Sequence, residues 1–318
     1  MKIVLSHETG SFTVRRPNVR TKGTAMRLLT RRLAYAAGAL VTIWIGLALG
    51  SAWFFTRRPL PMTPEVAPEV AWGKFESSRI KTADGEELGL WFLEGAPDAP
   101  TVLVLHGHGG CRSLCIPQAE IFAQAGCSVC MISMRASGDS TGNSSDVGFS
   151  ARTDVVAAVD FIERRRPGKP VHIMGVSMGA AAAIYASGDV GARVSGYILE
   201  SPYKDLRTAV RNRTELWLAK PWSDLFYDSM MFASPLFIGD VDRIAPIAHV
   251  KNIPASVPVV FLYGDLDSRA RPEEIRALHD EIAAHATMVL FAGGAHLSLR
   301  HHQPELYRAT LLAAVGRT

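Results

Sequence analysis

Between Leu33 and Phe55 the sequence has no charged residue. A helix facing water on one side carries polar residues there, so this run is excluded from being an ordinary amphipathic surface helix. Acids are also scarce at the N-terminus. Before residue 33 there is one, Glu8, against eight basic residues: Lys2, Arg15, Arg16, Arg20, Lys22, Arg27, Arg31 and Arg32. This arm carries +7 of a total of +4, which leaves −3 to the rest of the chain. A body without a basic excess lacks the electrostatic footprint of a nucleic-acid binder, so no nucleic-acid partner is expected. Cysteine is sparse, with residues at 111, 115, 127 and 130 only. The close pairs have zinc-ligand spacing. However, Cys127 and Cys130 flank a strand-like apolar run, where positions three apart face opposite ways, which argues against one shared tetrahedral site. An exported domain permits disulfides, but buried free thiols are the expectation. There is no internal repeat and no low-complexity block.

The uncharged run reads LAYAAGALVTIWIGLALGSAWFF. At about 1.5 Å per residue, such a helix spans a hydrocarbon core about 30 Å thick. Arg31 and Arg32 flank it on one side and Arg57 and Arg58 on the other, while Trp53 and Phe54 suit an interface. The larger basic cluster predicts a cytoplasmic N-terminus and a single-pass, membrane-anchored protein. Its main domain is then extracytoplasmic, or periplasmic in a Gram-negative cell. A buried core helix and a cleaved signal peptide compete with this reading. Gly50-Ser51-Ala52 offers small residues for cleavage, but the apolar run continues past it, which favours an uncleaved signal anchor. Met26 is an alternative start. The expected organisation is a disordered basic segment (1–32), a transmembrane helix (33–55), a stiff linker (56–71) rich in proline at 59, 61, 64 and 68, and a globular domain (72–318).

Within that domain, two strand-like runs at 73–82 and 87–94 flank Asp84-Gly85, a hairpin signal. Short apolar strands are then expected at 101–105, 128–132, 171–174, 195–199, 257–263 and 287–291. Helical patterns fall at 114–125, 152–165, 178–186, 272–284 and 304–315. Such alternation predicts an α/β fold with a mostly parallel sheet covered by helices on both faces. It breaks once, at 202–254, where aromatic residues including Tyr203, Trp217, Trp222 and Phe232 are scattered among charges. An insertion of that length reads as a cap.

Strand 171–174 runs into Gly175-Val176-Ser177-Met178-Gly179 and an alanine-rich helix. Gly-x-Ser-x-Gly in a strand–turn–helix context places a serine at the apex of a strained turn, close to the free N–H groups of a helix N-terminus. A hydroxyl becomes a nucleophile only when a base takes its proton. His296, in the glycine-rich loop 292–296, is the candidate base. The candidate acid is Asp267, with Asp265 and Glu200 as alternatives. The N–H groups of Met178 and of His108, in His106-Gly107-His108-Gly109-Gly110, are the expected oxyanion donors, with Gly109 as an alternative to His108. His106-x-His108 is also a possible metal pair, but no nearby group completes a ligand set.

These motifs resemble the α/β-hydrolase superfamily, over residues 72 to the end. The chain looks most like single-domain bacterial hydrolases and serine aminopeptidase-like proteins with a membrane anchor. The resemblance rests on LHGHGG at 105–110, GVSMGA at 175–180, GDLD at 264–267, GGAH at 293–296, MRASGDSTG at 134–142 and ESPY at 200–203. Ala136 stands where the family usually has glycine. The resemblance implies an α/β-hydrolase fold with a cap, a Ser177–Asp267–His296 triad, and no metal or cofactor. The expected activity is hydrolysis of a carboxylic ester or related acyl bond, with a small acyl compound of hydrophobic character as substrate. Amide or peptide hydrolysis on the same triad is the alternative. An inactive, membrane-tethered binding protein is the alternative of another class.

Overall fold

The computed structural model describes residues 19–58 and 62–318, with side chains from residue 23. Residues 1–18, for which disorder was expected, lie outside the described residues, as do Pro59 and Pro61. The chain divides into two compact units, Met1–Leu47 and Ala48–Thr318.

Helix α1 (Val19–Thr56) begins well before Leu33. This corrects the expected disorder of residues 19–32. Apart from Gly23, that stretch is free of helix breakers and rich in Arg, Leu and Met, all good helix formers. From Gly23 to Thr56 the helix is long and apolar enough to cross a membrane. Leu33, Tyr35, Leu40 and Ile43 are all exposed, so this is not the buried core helix that passes the same test.

The second unit is built on eight strands. They are β1 (Phe75–Lys81), β2 (Glu87–Leu93), β3 (Thr101–Leu105), β4 (Ser128–Ile132), β5 (Val171–Val176), β6 (Gly196–Glu200), β7 (Val259–Gly264) and β8 (Ala286–Phe291). Their order is β1-β2-β4-β3-β5-β6-β7-β8. Strand β2 runs antiparallel to β1 and β4, and every other pairing is parallel. The Asp84-Gly85 turn closes the β1–β2 hairpin, with Gly85 at φ 95°.

Strand β3 explains the layering. On one face Leu103 and Leu105 join an apolar cluster that also draws on the helices α3 (Arg152–Arg165), α4 (Met178–Val190) and α8 (Pro272–Asp280). On the other, Val102 and Val104 join a second cluster that also draws on α2 (Ile116–Gln124) and α10 (Pro304–Ala314). Alternate residues of a strand face opposite ways, so a strand covered on both sides is apolar throughout. Each such fully buried Val or Leu contributes roughly 1.5–3 kcal/mol. The 202–254 insertion folds as α5 (Leu206–Trp217), α6 (Trp222–Ala233) and α7 (Pro235–Ile238), followed by short turns. A short helix, α9 (Leu299–His302), precedes α10. The four cysteines are free.

The proline-rich stretch is not the free spacer its composition suggests. Arg58 donates to the carbonyls of Gly142 and Gly138, at 3.1 and 3.0 Å, and to that of Ser140. Glu65 accepts from the Ser133 hydroxyl and pairs with Arg112 at 3.0 Å. Arg112 is only 2% exposed and needs these acceptors, because a buried guanidinium without partners is strongly unfavourable. The segment is thus strapped along the 133–142 loop.

In that loop Ala136 sits at φ 58°. This is the left-handed region, where a Cβ costs about 1–2 kcal/mol. The strain gives a physical reason for the glycine usual at this position. Ala136→Gly is therefore expected to raise stability by up to about 1 kcal/mol, the gain being trimmed by glycine's greater freedom when unfolded. Denaturant titration of the two proteins in detergent checks this.

Candidate active site

Ser177 lies between β5 and α4 with φ 52° and ψ −111°, a conformation L residues rarely adopt. Its N–H donates to the Glu200 carbonyl at 2.8 Å, which ties the turn to β6. The flanking glycines are required by close approach. A Cβ on Gly175 would lie 2.4 Å from the Ala180 nitrogen, and one on Gly179 would lie 2.5 Å from the Leu105 oxygen. The strained turn is thereby wedged against the end of β3.

The base and acid arrive on two loops at the C-terminal ends of β7 and β8. These loops touch backbone to backbone. A Cβ on Gly264 would lie 2.0 Å from the Gly294 oxygen, and Leu266 N–H donates to that same oxygen at 3.0 Å. The result is a continuous chain of hydrogen bonds. Ser177 Oγ is 3.1 Å from His296 Nε2, and His296 Nδ1 is 2.8 Å from Asp267 Oδ2. The other carboxylate oxygen of Asp267 accepts from the N–H groups of Arg269 and Ala270, each at 2.9 Å. Burial pushes the Asp267 carboxyl up, but the bonds from His296 and the two N–H groups outweigh it. The net shift is downward, which favours the charged form. With a carboxylate accepting at Nδ1, the imidazole carries its proton there and leaves Nε2 free to accept from the serine.

The other candidate acids have different partners. Asp265 accepts from Gly293 N–H at 2.6 Å and so stiffens the histidine loop. Glu200 accepts from the Tyr307 hydroxyl at 2.5 Å and is fully buried. Burial raises its pKa to about 7, from an ordinary value of 4.5. Between these two values the folded protein keeps a proton that the unfolded chain loses. Stability is therefore expected to fall as pH rises through this window and to level off above about 7, a loss of about 3 kcal/mol. Glu200→Gln keeps an acceptor for Tyr307 and removes the titration. The variant is expected to flatten the decline in melting temperature between pH 5 and pH 8. An unchanged decline would assign it to other groups.

The loop after β3 approaches the serine. A Cβ on Gly107 would lie 3.7 Å from Ser177 Cβ. Among the described residues, the N–H groups of His108 and Met178 have no backbone acceptor. Both are therefore free to donate to a ligand. His106 is used otherwise. Its Nδ1 donates to the Gly107 carbonyl at 2.8 Å and its Nε2 accepts from Met134 N–H at 3.0 Å. Both ring nitrogens are spent on bracing the loop, a role the sequence does not signal. The His108 residue is exposed overall, yet the protein packed about its ring and then the charge of Arg213 hold its pKa down, to about 4. Arg213, on α5, was not singled out in the sequence. It donates to the Ala209 carbonyl at 2.8 Å and has no carboxylate in ion-pair range among the described residues.

Residues 96–236 match the Hydrolase_4 family, described as serine aminopeptidase, S33. That stretch includes Ser177 and ends before the loops of Asp267 and His296. Lysophosphatidylserine lipase ABHD12 of Gallus gallus is 29% identical over 202 residues, covering 61% of this chain and 51% of that protein. The uncharacterized membrane protein YNL320W of Saccharomyces cerevisiae is 26% identical over 194 residues, covering 58% of this chain and 68% of that protein. The chain thus spans about half the length of the ABHD12 proteins it matches. Among solved structures, the Pyrococcus furiosus esterase Pf2001 superimposes with a TM-score of 0.64 at 22% identity, covering 79% of this chain and 96% of that one. XC6422 from Xanthomonas campestris, described as an a/b serine hydrolase without lid, gives 0.53 at 18% identity, covering 81% and 97%. A sheet with this strand order, a strained serine turn after β5 and these matches agree on one assignment: the chain has an α/β-hydrolase fold.

Proposed function

We propose that the protein is a serine hydrolase that cleaves a carboxylic ester through an acyl-enzyme. The observation that carries this reading is the unbroken Ser177–His296–Asp267 hydrogen-bond chain. Ser177 Oγ attacks the carbonyl carbon while its proton passes to His296 Nε2. The Asp267 carboxylate stabilises the imidazolium that forms. The carbonyl oxygen gathers negative charge and is met by the N–H groups of Met178 and His108. His296 then gives its proton to the departing alkoxide, leaving the acyl group on Ser177. Water, deprotonated by the same imidazole, releases the acid and restores the serine.

The relatives named as lipases and esterases favour an ester, and a lipid-like one suits a chain with a membrane-crossing helix. The description serine aminopeptidase, attached to residues 96–236, favours an amide instead. A panel containing lysophosphatidylserine, short and long p-nitrophenyl esters and aminoacyl amides separates the two readings. Amide turnover exceeding ester turnover would overturn the ester assignment. By the arginine and lysine asymmetry about α1, the N-terminus is cytoplasmic and the hydrolase domain extracytoplasmic. A reporter fused after Thr318 that is active only in the cytoplasm would reverse this topology.

A further inference from the structure

The last turns of α1 lie in the same compact unit as the sheet, and they touch the candidate site at several points. Ala52 and Thr56 are buried, at 1% and 4% exposed. The Phe55 ring stacks on Trp217 of cap helix α5, with centroids 5.7 Å apart and planes 16° apart. The same ring lies 6.2 Å from the imidazole of His108. The Thr56 carbonyl accepts from Ser145 N–H at 2.9 Å, and the Ser145 hydroxyl meets the Met178 sulfur at 3.7 Å. The end of the helix therefore reaches both residues whose N–H groups are free to donate, His108 through a ring and Met178 through Ser145.

A plain tether needs none of these contacts. A helix that only holds a domain near a bilayer can leave it through any flexible segment. Here an aromatic ring is inserted between the cap and the loop that carries His108. Aromatic pairs of this geometry attract beyond their burial, which biases the position of a glycine-rich loop.

We propose that the end of the membrane-crossing helix is a working part of the catalytic site: Phe55 is a positioning residue that clamps the cap at Trp217 and sets the oxyanion loop at His108. The proposal rests on the hydrolase reading above. Oxyanion donors act on charge that develops in the transition state, so displacing them lowers kcat more than it raises KM.

The test uses the full chain in detergent with p-nitrophenyl butyrate, a soluble ester that needs no membrane to reach the enzyme. Phe55→Ala is expected to lower kcat about tenfold to a hundredfold, with KM changed less than about threefold. Phe55→Tyr, which keeps the stacked ring, is expected to stay within about threefold of wild type. Trp217→Ala should give a loss similar to that of Phe55→Ala. The double variant should be no worse than the poorer single, because the two rings act as one unit. Phe55→Leu keeps most of the buried volume without the ring, and it carries the test if the alanine variant does not fold. Four results would overturn the proposal: turnover by Phe55→Leu and Phe55→Ala within about twofold of wild type, a loss confined to KM, failure of Phe55→Tyr to rescue, or multiplicative losses in the double variant. Absence of Ser177-dependent fluorophosphonate labelling in the wild type would instead sink the hydrolase reading itself, so the two failures are distinct.

Discussion

Ser177→Ala is expected to abolish fluorophosphonate labelling and to lower ester kcat by about four to six orders of magnitude. The size follows from the division of labour in the site. Without the hydroxyl there is no acyl-enzyme, and His296 has nothing to deprotonate except water. The free N–H groups of His108 and Met178 would remain, so a residual rate above the uncatalysed one is expected rather than none. The fold should survive, because the Ser177 N–H and not its hydroxyl makes the bond to Glu200. A melting temperature close to wild type, together with absent labelling, is the combined signature. Labelling that persists in the alanine variant would move the nucleophile elsewhere and refute the assignment.

Asp267→Asn is expected to lower kcat by about 10⁴ with little change in stability. The asparagine carbonyl can still accept from Arg269 and Ala270, which preserves the loop. Its NH₂ group then faces His296 Nδ1, and two donors cannot meet. The imidazole must present a lone pair at Nδ1 and so carries its proton at Nε2, facing Ser177, where it cannot act as a base. Asp265→Asn retains an acceptor for Gly293 N–H and should lose far less. Measuring kcat for both variants, with Glu200→Gln beside them, ranks the three carboxylates directly. A larger loss at Asp265 or Glu200 would displace Asp267 from its role.

The short apolar runs foretold the sheet because a strand covered on both faces has no polar positions to blur its signal. Strands 101–105 and 128–132 and helix 152–165 have the bounds read from the sequence. Ser177, Asp267 and His296 could be singled out because each follows an apolar run and lies near glycines. Those glycines are needed where backbones cross, as at Gly179 and Gly264. Contacts far apart in sequence were less legible. Pro64 and Pro68 read as a spacer, because proline signals extended chain whether or not that chain lies on a surface. Nothing local in Arg58 or Glu65 announces that their partners lie near residues 133–142. Phe55 was read as the last residue of an apolar span. Its place beside Trp217 and His108 depends on how the cap folds back, which no periodicity encodes. His106 was weighed as a metal ligand because a histidine pair has the same spelling whether it binds an ion or braces a loop.

The strap formed by Arg58 and Glu65 also bears on how the enzyme searches for substrate. A domain on a slack leash sweeps a volume, and its reach grows with the length of the leash. Here the chain leaving α1 is stapled to the domain through Thr56, Arg58 and Glu65, so there is little leash to pay out. Such an enzyme scarcely reaches for its substrate. If the proposed membrane anchoring and lipid-like substrate hold, encounter becomes a matter of lateral diffusion in two dimensions. Its turnover would then follow the surface density of substrate in the membrane more closely than the concentration in the surrounding solution.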